Sequence, residues 1–295
     1  MTKTILGVVI VISITVAVVL GIRALYQQPA RQTDSRPIVV ATVPHVASWL
    51  EDLSAGSLRI ETIVPPGSEI HDFSFSPAGA QILDQAELLV ANGAGLEPWL
   101  ADIAAAYPRL PIVETTRGLA LTANDPHTWL DPLLAAQQVA AAGLALQQAF
   151  PAQATSLAQN TEELRATLRN LDQEIRTGLT QVNGRHFVAF HNAFSYFARR
   201  YGLEQVGELV ERPGDEPTFA DIEALQRTVQ ELTINTLFVE PGPVPDIART
   251  FAAELNLKIA ILNPLETIEP MQGAYLAAMR INLEALRVSL DKTAN

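Results

Sequence analysis

Two doubly wound α/β lobes joined by a long rigid helix are the architecture this sequence predicts, and three observations lead there. Short apolar runs alternate with helical stretches in both halves, the pattern of parallel sheets covered by crossover helices. Between the halves runs an amphipathic stretch too long for a crossover within one sheet. The length of 295 residues suffices for two modest lobes, because single cores seldom grow past roughly 250–300 residues.

In the first half, Pro37 to Val43 carries three valines and reads as a buried parallel strand, followed by a helical stretch through Trp49 and Leu53. Ile60 to Val64 is a second strand that stops at Pro65-Pro66-Gly67, a breaker leading directly to His71. Pro77 opens a helix through Ile82, Glu87 to Ala91 is a third strand, Glu97 to Ala106 a helix, and Pro111 to Glu114 a short fourth strand. A loop then reaches Asp125-Pro126-His127-Thr128-Trp129-Leu130-Asp131-Pro132. There a histidine is held between two prolines, and Asp131 is placed to cap the helix that Pro132 begins.

Leu133 to Phe150 is rich in alanine and glutamine and reads as a helix. Beyond Pro151, Leu157, Leu164, Leu168, Leu171, Ile175, Leu179 and Val182 recur at steps of three, four and seven. They predict one helix of roughly 28 residues, about 40 Å long, running along both lobes as a strut. A coiled-coil partner helix is the alternative, although the stripe spans only about four heptads. The α/β rhythm then returns. Phe187 to Phe190, Gln205 to Leu209, Thr236 to Val239 and Lys258 to Leu262 read as strands; Ala193 to Tyr201, Phe219 to Leu232, Ile247 to Leu255 and Gly273 to Leu290 read as helices. The expected division is a membrane segment and tether at residues 1–31, an N-terminal lobe at 32–150, a linking helix at 151–182 and a C-terminal lobe at 183–295.

A net charge of -12 argues against a nucleic-acid partner, which calls for basic patches. The absence of cysteine excludes disulfides, thiolate metal sites, thiol nucleophiles and a lipid-modified cysteine. Any bound metal must be held by nitrogen and oxygen. Thr4 to Ile22 is almost uninterruptedly apolar, and 19 residues in helix span about 28 Å, close to a bilayer's hydrocarbon thickness. This run is expected to enter a membrane as an uncleaved anchor, with a cleaved signal sequence as the alternative. Everything after it is expected to lie at the periplasmic or extracytoplasmic face.

Three histidines stand beside strand ends: His71, His127 and His191. Imidazole suits zinc, copper, iron and nickel, and three imidazoles with a fourth oxygen or water make a tetrahedral zinc site. The wide spacing would place such a metal in the cleft between the lobes. Five histidines in this chain can also leave three near strand ends by chance, so spacing alone keeps both readings open. His45 and His186 are the contrast, since the start of a helix and the start of a strand explain them without a ligand. Ligands bind outside the carboxyl ends of strands in open α/β sheets, and His191, Glu240 and Asn263 each follow a strand directly. There is no Gly-x-Ser-x-Gly elbow, Walker loop or His-Glu-x-x-His helix. A zinc hydrolase with Glu240 as general base is the distant enzymatic alternative.

The runs Gly67 to Pro77, Asp125 to Pro132 and His186 to Phe197, with Phe238-Val239-Glu240-Pro241, Leu262-Asn263-Pro264-Leu265 and then Tyr275, Met279 and Asn282, carry a resemblance. In order and content they resemble the zinc- and manganese-binding periplasmic solute-binding proteins of ABC transporters, over roughly residues 37 to 290. The resemblance implies a non-enzymatic, monomeric carrier holding one metal between two lobes and delivering it to a membrane permease. It implies His71, His127 and His191 as the first three ligands, with zinc favoured over manganese because the third is histidine. The family's fourth ligand is usually an aspartate, and that position is Asn263 here, which leaves water or Glu240 as ways to complete the shell. No histidine-rich loop lies between Asp102 and Asp125. An adhesin-like relative that no longer transports, and a manganese or iron carrier, are the alternatives within this fold.

Overall fold

Strands β1 (Ile38–Ala41) and β3 (Leu88–Ala91) are apolar at every position because neither face of their sheet meets water. In a computed structural model of the chain, which describes residues 34–122, 125–180 and 182–291, Val39 and Ala41 face one buried cluster and Val40 the opposite one. This is the period-two geometry of a strand covered on both sides. With β2 (Arg59–Thr62) and β4 (Ile112–Glu114) they form a parallel sheet in the order β2-β1-β3-β4. Helices α1 (Pro44–Ser54), α2 (Pro77–Leu83) and α3 (Leu100–Ala106) accompany it. The third helix starts later than the sequence suggests. Glu97, expected inside it, instead turns its carboxylate back to accept hydrogen bonds from the N–H groups of Asn92 (2.8 Å) and Gly93 (2.9 Å).

Asp131 caps α4 (Pro132–Ala149) as expected, accepting from the N–H groups of Leu133 (2.9 Å) and Leu134 (3.3 Å). The strut is α5 (Ala154–Leu179), shorter than the predicted stretch because Pro151–Gln153 forms a separate 3-10 turn. Leu157, Leu164, Leu168, Leu171, Ile175 and Leu179 are all buried along one stripe. Near its start Asn160 donates to the carbonyl of Leu53 in α1, and a Cβ on Gly143 would lie 2.2 Å from Thr161 Oγ1, so only glycine lets α4 and α5 approach this closely.

The second sheet contains β5 (His186–His191), β6 (Glu204–Val210), β7 (Thr236–Val239) and β8 (Lys258–Ile261), all parallel, in the order β6-β5-β7-β8. Its helices are α6 (Ser195–Tyr201), α7 (Phe219–Glu231), α8 (Asp246–Glu254) and the terminal α9 (Ala274–Leu290). Glu174, late in α5, pairs with Arg280 of α9 at 3.0 Å, so the strut rests on the first lobe at one end and the second at the other. One apolar cluster runs through both lobes, from Val39 through Leu168 and Leu171 to Phe238 and Leu286. The apolar run Thr4 to Ile22 lies outside the described residues. Among the described residues no helix is long and apolar enough to cross a membrane.

A candidate metal centre between the lobes

His71 sits in the irregular loop after β2, His127 in the loop after β4, and His191 is the last residue of β5. The strand was expected to stop at Phe190. It continues because His191 pairs with Val210 of β6, and its ring is satisfied there, Nδ1 lying 2.5 Å from Glu240 Oε1. The loops bring the Nε2 atoms of all three histidines together with a carboxylate oxygen of Glu266, all within 4.8 Å of one another. His127 Nε2 is 3.3 Å from His71 Nε2 and 3.4 Å from His191 Nε2. Glu266 Oε1 is 3.3 Å from His71 Nε2, 3.1 Å from His127 Nε2 and 3.8 Å from His191 Nε2.

These separations have a geometric meaning. Ligand distances of about 2.0–2.1 Å from a tetrahedral zinc ion place the donor atoms about 3.3–3.4 Å apart along each edge. Four edges of 3.1–3.4 Å lie close to that figure, and a fifth, from Glu266 to His191, is longer at 3.8 Å. The donor set is three nitrogens and one oxygen, all buried except the half-buried His71.

The nitrogens that face away from the cluster fix the tautomers. Asp125 Oδ1 takes both the Nδ1 proton (2.8 Å) and the backbone N–H (3.0 Å) of His127, while Glu240 takes the Nδ1 proton of His191. His127 and His191 are therefore oriented with Nε2 toward the cluster, the carboxylate–histidine arrangement of metal sites. Burial pulls the His127 pKa down, but hydrogen bonds to Asp125 and Glu266 and their charges outweigh it and raise it to about 9. Glu266 is pushed up by burial and more strongly down by the His191 charge and the bonds to His127 and His71, leaving it ionised.

Asn263, the position the resemblance offered as fourth ligand, has its side-chain oxygen and backbone engaged in a turn. Its side-chain oxygen accepts from the N–H of Leu265 (2.7 Å), and Asn282 of α9 clamps its backbone N–H (2.7 Å) and carbonyl (2.6 Å). The turn so formed holds Leu265 at φ +66°, a conformation that costs a non-glycine residue about 1–2 kcal/mol. It delivers Glu266 into the cluster three residues later. The turn is also tied to the first lobe, where Trp129 Nε1 donates to the carbonyl of Pro264 (2.7 Å) and the Tyr275 hydroxyl donates to the carbonyl of Trp129 (2.6 Å). Glu240, one of the alternatives for completing the shell, bonds His191 Nδ1 on the side of the ring away from Nε2. Sequence reading missed Glu266 and Asp125. Asp125 was legible as an acid two residues before a histidine, whereas nothing distinguished Glu266 from the chain's other carboxylates. His45 and His186 stay apart as expected: His45 is in the core of α1 and His186 pairs loosely with Glu204 at 3.5 Å.

Residues 39–288 match the family model of the periplasmic component A of zinc-uptake complexes. The chain belongs to this family. Within it, the chain is 28% identical over 277 residues to the high-affinity zinc uptake system protein ZnuA of Bacillus subtilis, covering 85% of this chain and 87% of that protein. It is 26% identical to the zinc-binding protein AdcA of Streptococcus pyogenes, covering 86% of this chain, and it spans only 56% of the length of that relative. Among solved structures, the laminin-binding protein Lmb of Streptococcus agalactiae, described as an adhesin with metal-transporting activity, superposes with a TM-score of 0.79 at 28% identity. That match covers 87% of this chain and all of Lmb.

Proposed function

We propose that this protein captures zinc outside the cytoplasm and delivers it to the permease of an ABC importer, with His71, His127, His191 and Glu266 as the ligands. The observation that carries the reading is the set of donor separations, which fit the edges of a zinc tetrahedron. Three imidazole nitrogens and one carboxylate oxygen suit zinc better than the harder manganese ion. Zinc is cargo here, and no covalent step is needed. Glu240 accepts the Nδ1 proton of His191, which supports a role behind a metal ligand over that of a hydrolase base. The division into lobes at 32–150 and 183–295 about a linking helix at 151–182 goes with this proposal, as do a monomeric state and anchoring through residues 1–31.

Because α5 and the hydrogen bonds from Trp129, Tyr275 and Asn160 tie the lobes, capture is expected to involve movement of the His71 loop and not a hinge. Competitive zinc titration of residues 32–295 beside His127→Ala tests the reading. One zinc bound well below micromolar, weakened at least about a hundredfold in the variant, is expected for three buried imidazole ligands. Micromolar binding, or an unchanged variant, would overturn it.

A further inference from the structure

Beside the imidazole cluster lies a second convergence of donors, made of oxygen alone. One carboxylate oxygen each from Glu69, Glu240 and Glu266 lie within 4.8 Å of one another. Glu69 reaches this point from the loop after β2, Glu240 from the end of β7 and Glu266 from the turn after β8, so both lobes contribute. In each carboxylate Oε1 is committed to the histidine framework: Glu69 accepts from the backbone N–H of His71 (3.1 Å), Glu240 from His191 Nδ1 (2.5 Å), and Glu266 faces His71 and His127. Glu266 is almost wholly buried, and its other oxygen, Oε2, has no hydrogen-bond partner among the described residues. A buried carboxylate oxygen left without a donor is costly unless a cation faces it.

We infer that Glu69, Glu240 and Glu266 form a second cation site, taking a hard divalent ion of the calcium or manganese class, with Glu266 bridging to the zinc site. Oxygen-only ligand sets select such ions, whereas imidazole sets select zinc. Oxygens around one calcium ion at about 2.3–2.6 Å can stand up to about 5 Å apart, so the observed spread needs no rearrangement. Glu69 and Glu240 are half-buried, which leaves water access to complete the shell. A carboxylate bridge of this kind holds two ions about 3.5–4 Å apart, as in two-metal sites. An ion there would share the charge of Glu266 and weaken its hold on zinc.

The inference rests on the proposed zinc site only through the shared Glu266, and the experiment separates the two. Protein loaded with one equivalent of zinc is titrated with Mn2+ and followed by electron paramagnetic resonance, beside Glu69→Gln. Zinc-loaded wild type is expected to take up one Mn2+, and Glu69→Gln to bind it at least tenfold more weakly with zinc stoichiometry unchanged. No Mn2+ bound to the zinc-loaded protein at millimolar concentration, or equal binding by Glu69→Gln, overturns the inference. Should zinc loading itself fail, the same Mn2+ titration of His127→Ala, with and without Glu69→Gln, decides it: the His127→Ala protein keeps all three carboxylates. Mn2+ bound there and lost with Glu69→Gln upholds the second site, and Mn2+ unbound or insensitive to Glu69 removes it.

Discussion

Two buried imidazoles touch Trp129 and titrate in opposite directions. His45 stacks on the indole with centroids 4.0 Å apart, and His127 lies 5.0 Å from it at a tilt. Burial lowers the pKa of both. Among the described residues the one hydrogen-bond partner of the His45 ring is the amide oxygen of Asn92 at 3.3 Å, and burial takes its pKa down to about 3. For His127 two carboxylates reverse the effect and the pKa rises to about 9. Burial thus makes a histidine either a neutral core residue or a cation-holding ligand, and the neighbouring charge decides which.

The largest effect expected from breaking this contrast is at Glu266. Glu266→Gln removes the one anionic donor and should weaken zinc about a hundredfold or more, since charged donors dominate attraction for a dication. A chelator competition showing less than a threefold change would mean that this carboxylate is not a ligand. Proton competition comes next. Zinc must displace the His127 proton, so affinity should rise about tenfold per pH unit up to about pH 9 and level off above it. Calorimetry in buffers of different ionisation enthalpy should find close to one proton released at pH 7.5, and none released would contradict the raised pKa. Asp125→Asn should return His127 toward ordinary imidazole behaviour and cost roughly tenfold to a hundredfold in affinity, the range for partners behind metal-bound histidines.

On the other side of the contrast, His45→Phe should leave zinc affinity within about threefold and change the pH dependence of stability instead. The unfolded chain takes up a proton below about pH 6.5 while folded His45 resists until about pH 3, so stability is lost as pH falls through that window. At roughly 1.4 kcal/mol per unit this amounts to several kcal/mol, and thermal melts of the variant should be flatter between pH 6.5 and 4. His127 has the reverse sign: its contribution to the metal-free fold is present below about pH 6.5 and lost as pH rises through about 9. The smallest effect is expected at Asn263→Asp. An aspartate can still accept from the Leu265 N–H, so zinc affinity should move by no more than about threefold; a gain of tenfold would put this position back among the ligands.

Alternating apolar runs, prolines and one leucine stripe were enough to predict two parallel sheets joined by a strut, because the backbone's periods of 2 and 3.6 are written in local sequence. The Asp131-Pro132 cap was legible for the same reason: its chemistry acts within three residues. The three histidines stood out because histidine is scarce in this chain and strand ends are where α/β sheets bind ligands. Glu266 did not stand out, since its role depends on contacts remote in sequence. Asn282 clamps its turn from 19 residues away, and Trp129 braces it from 135 residues away. The sequence alone thus determined the elements, their order and three candidate donors. Tertiary structure alone decided which carboxylate completes the cluster and which buried histidine carries a proton, because both depend on charges brought within a few ångströms by folding, and Coulomb interaction follows distance in space, not along the chain.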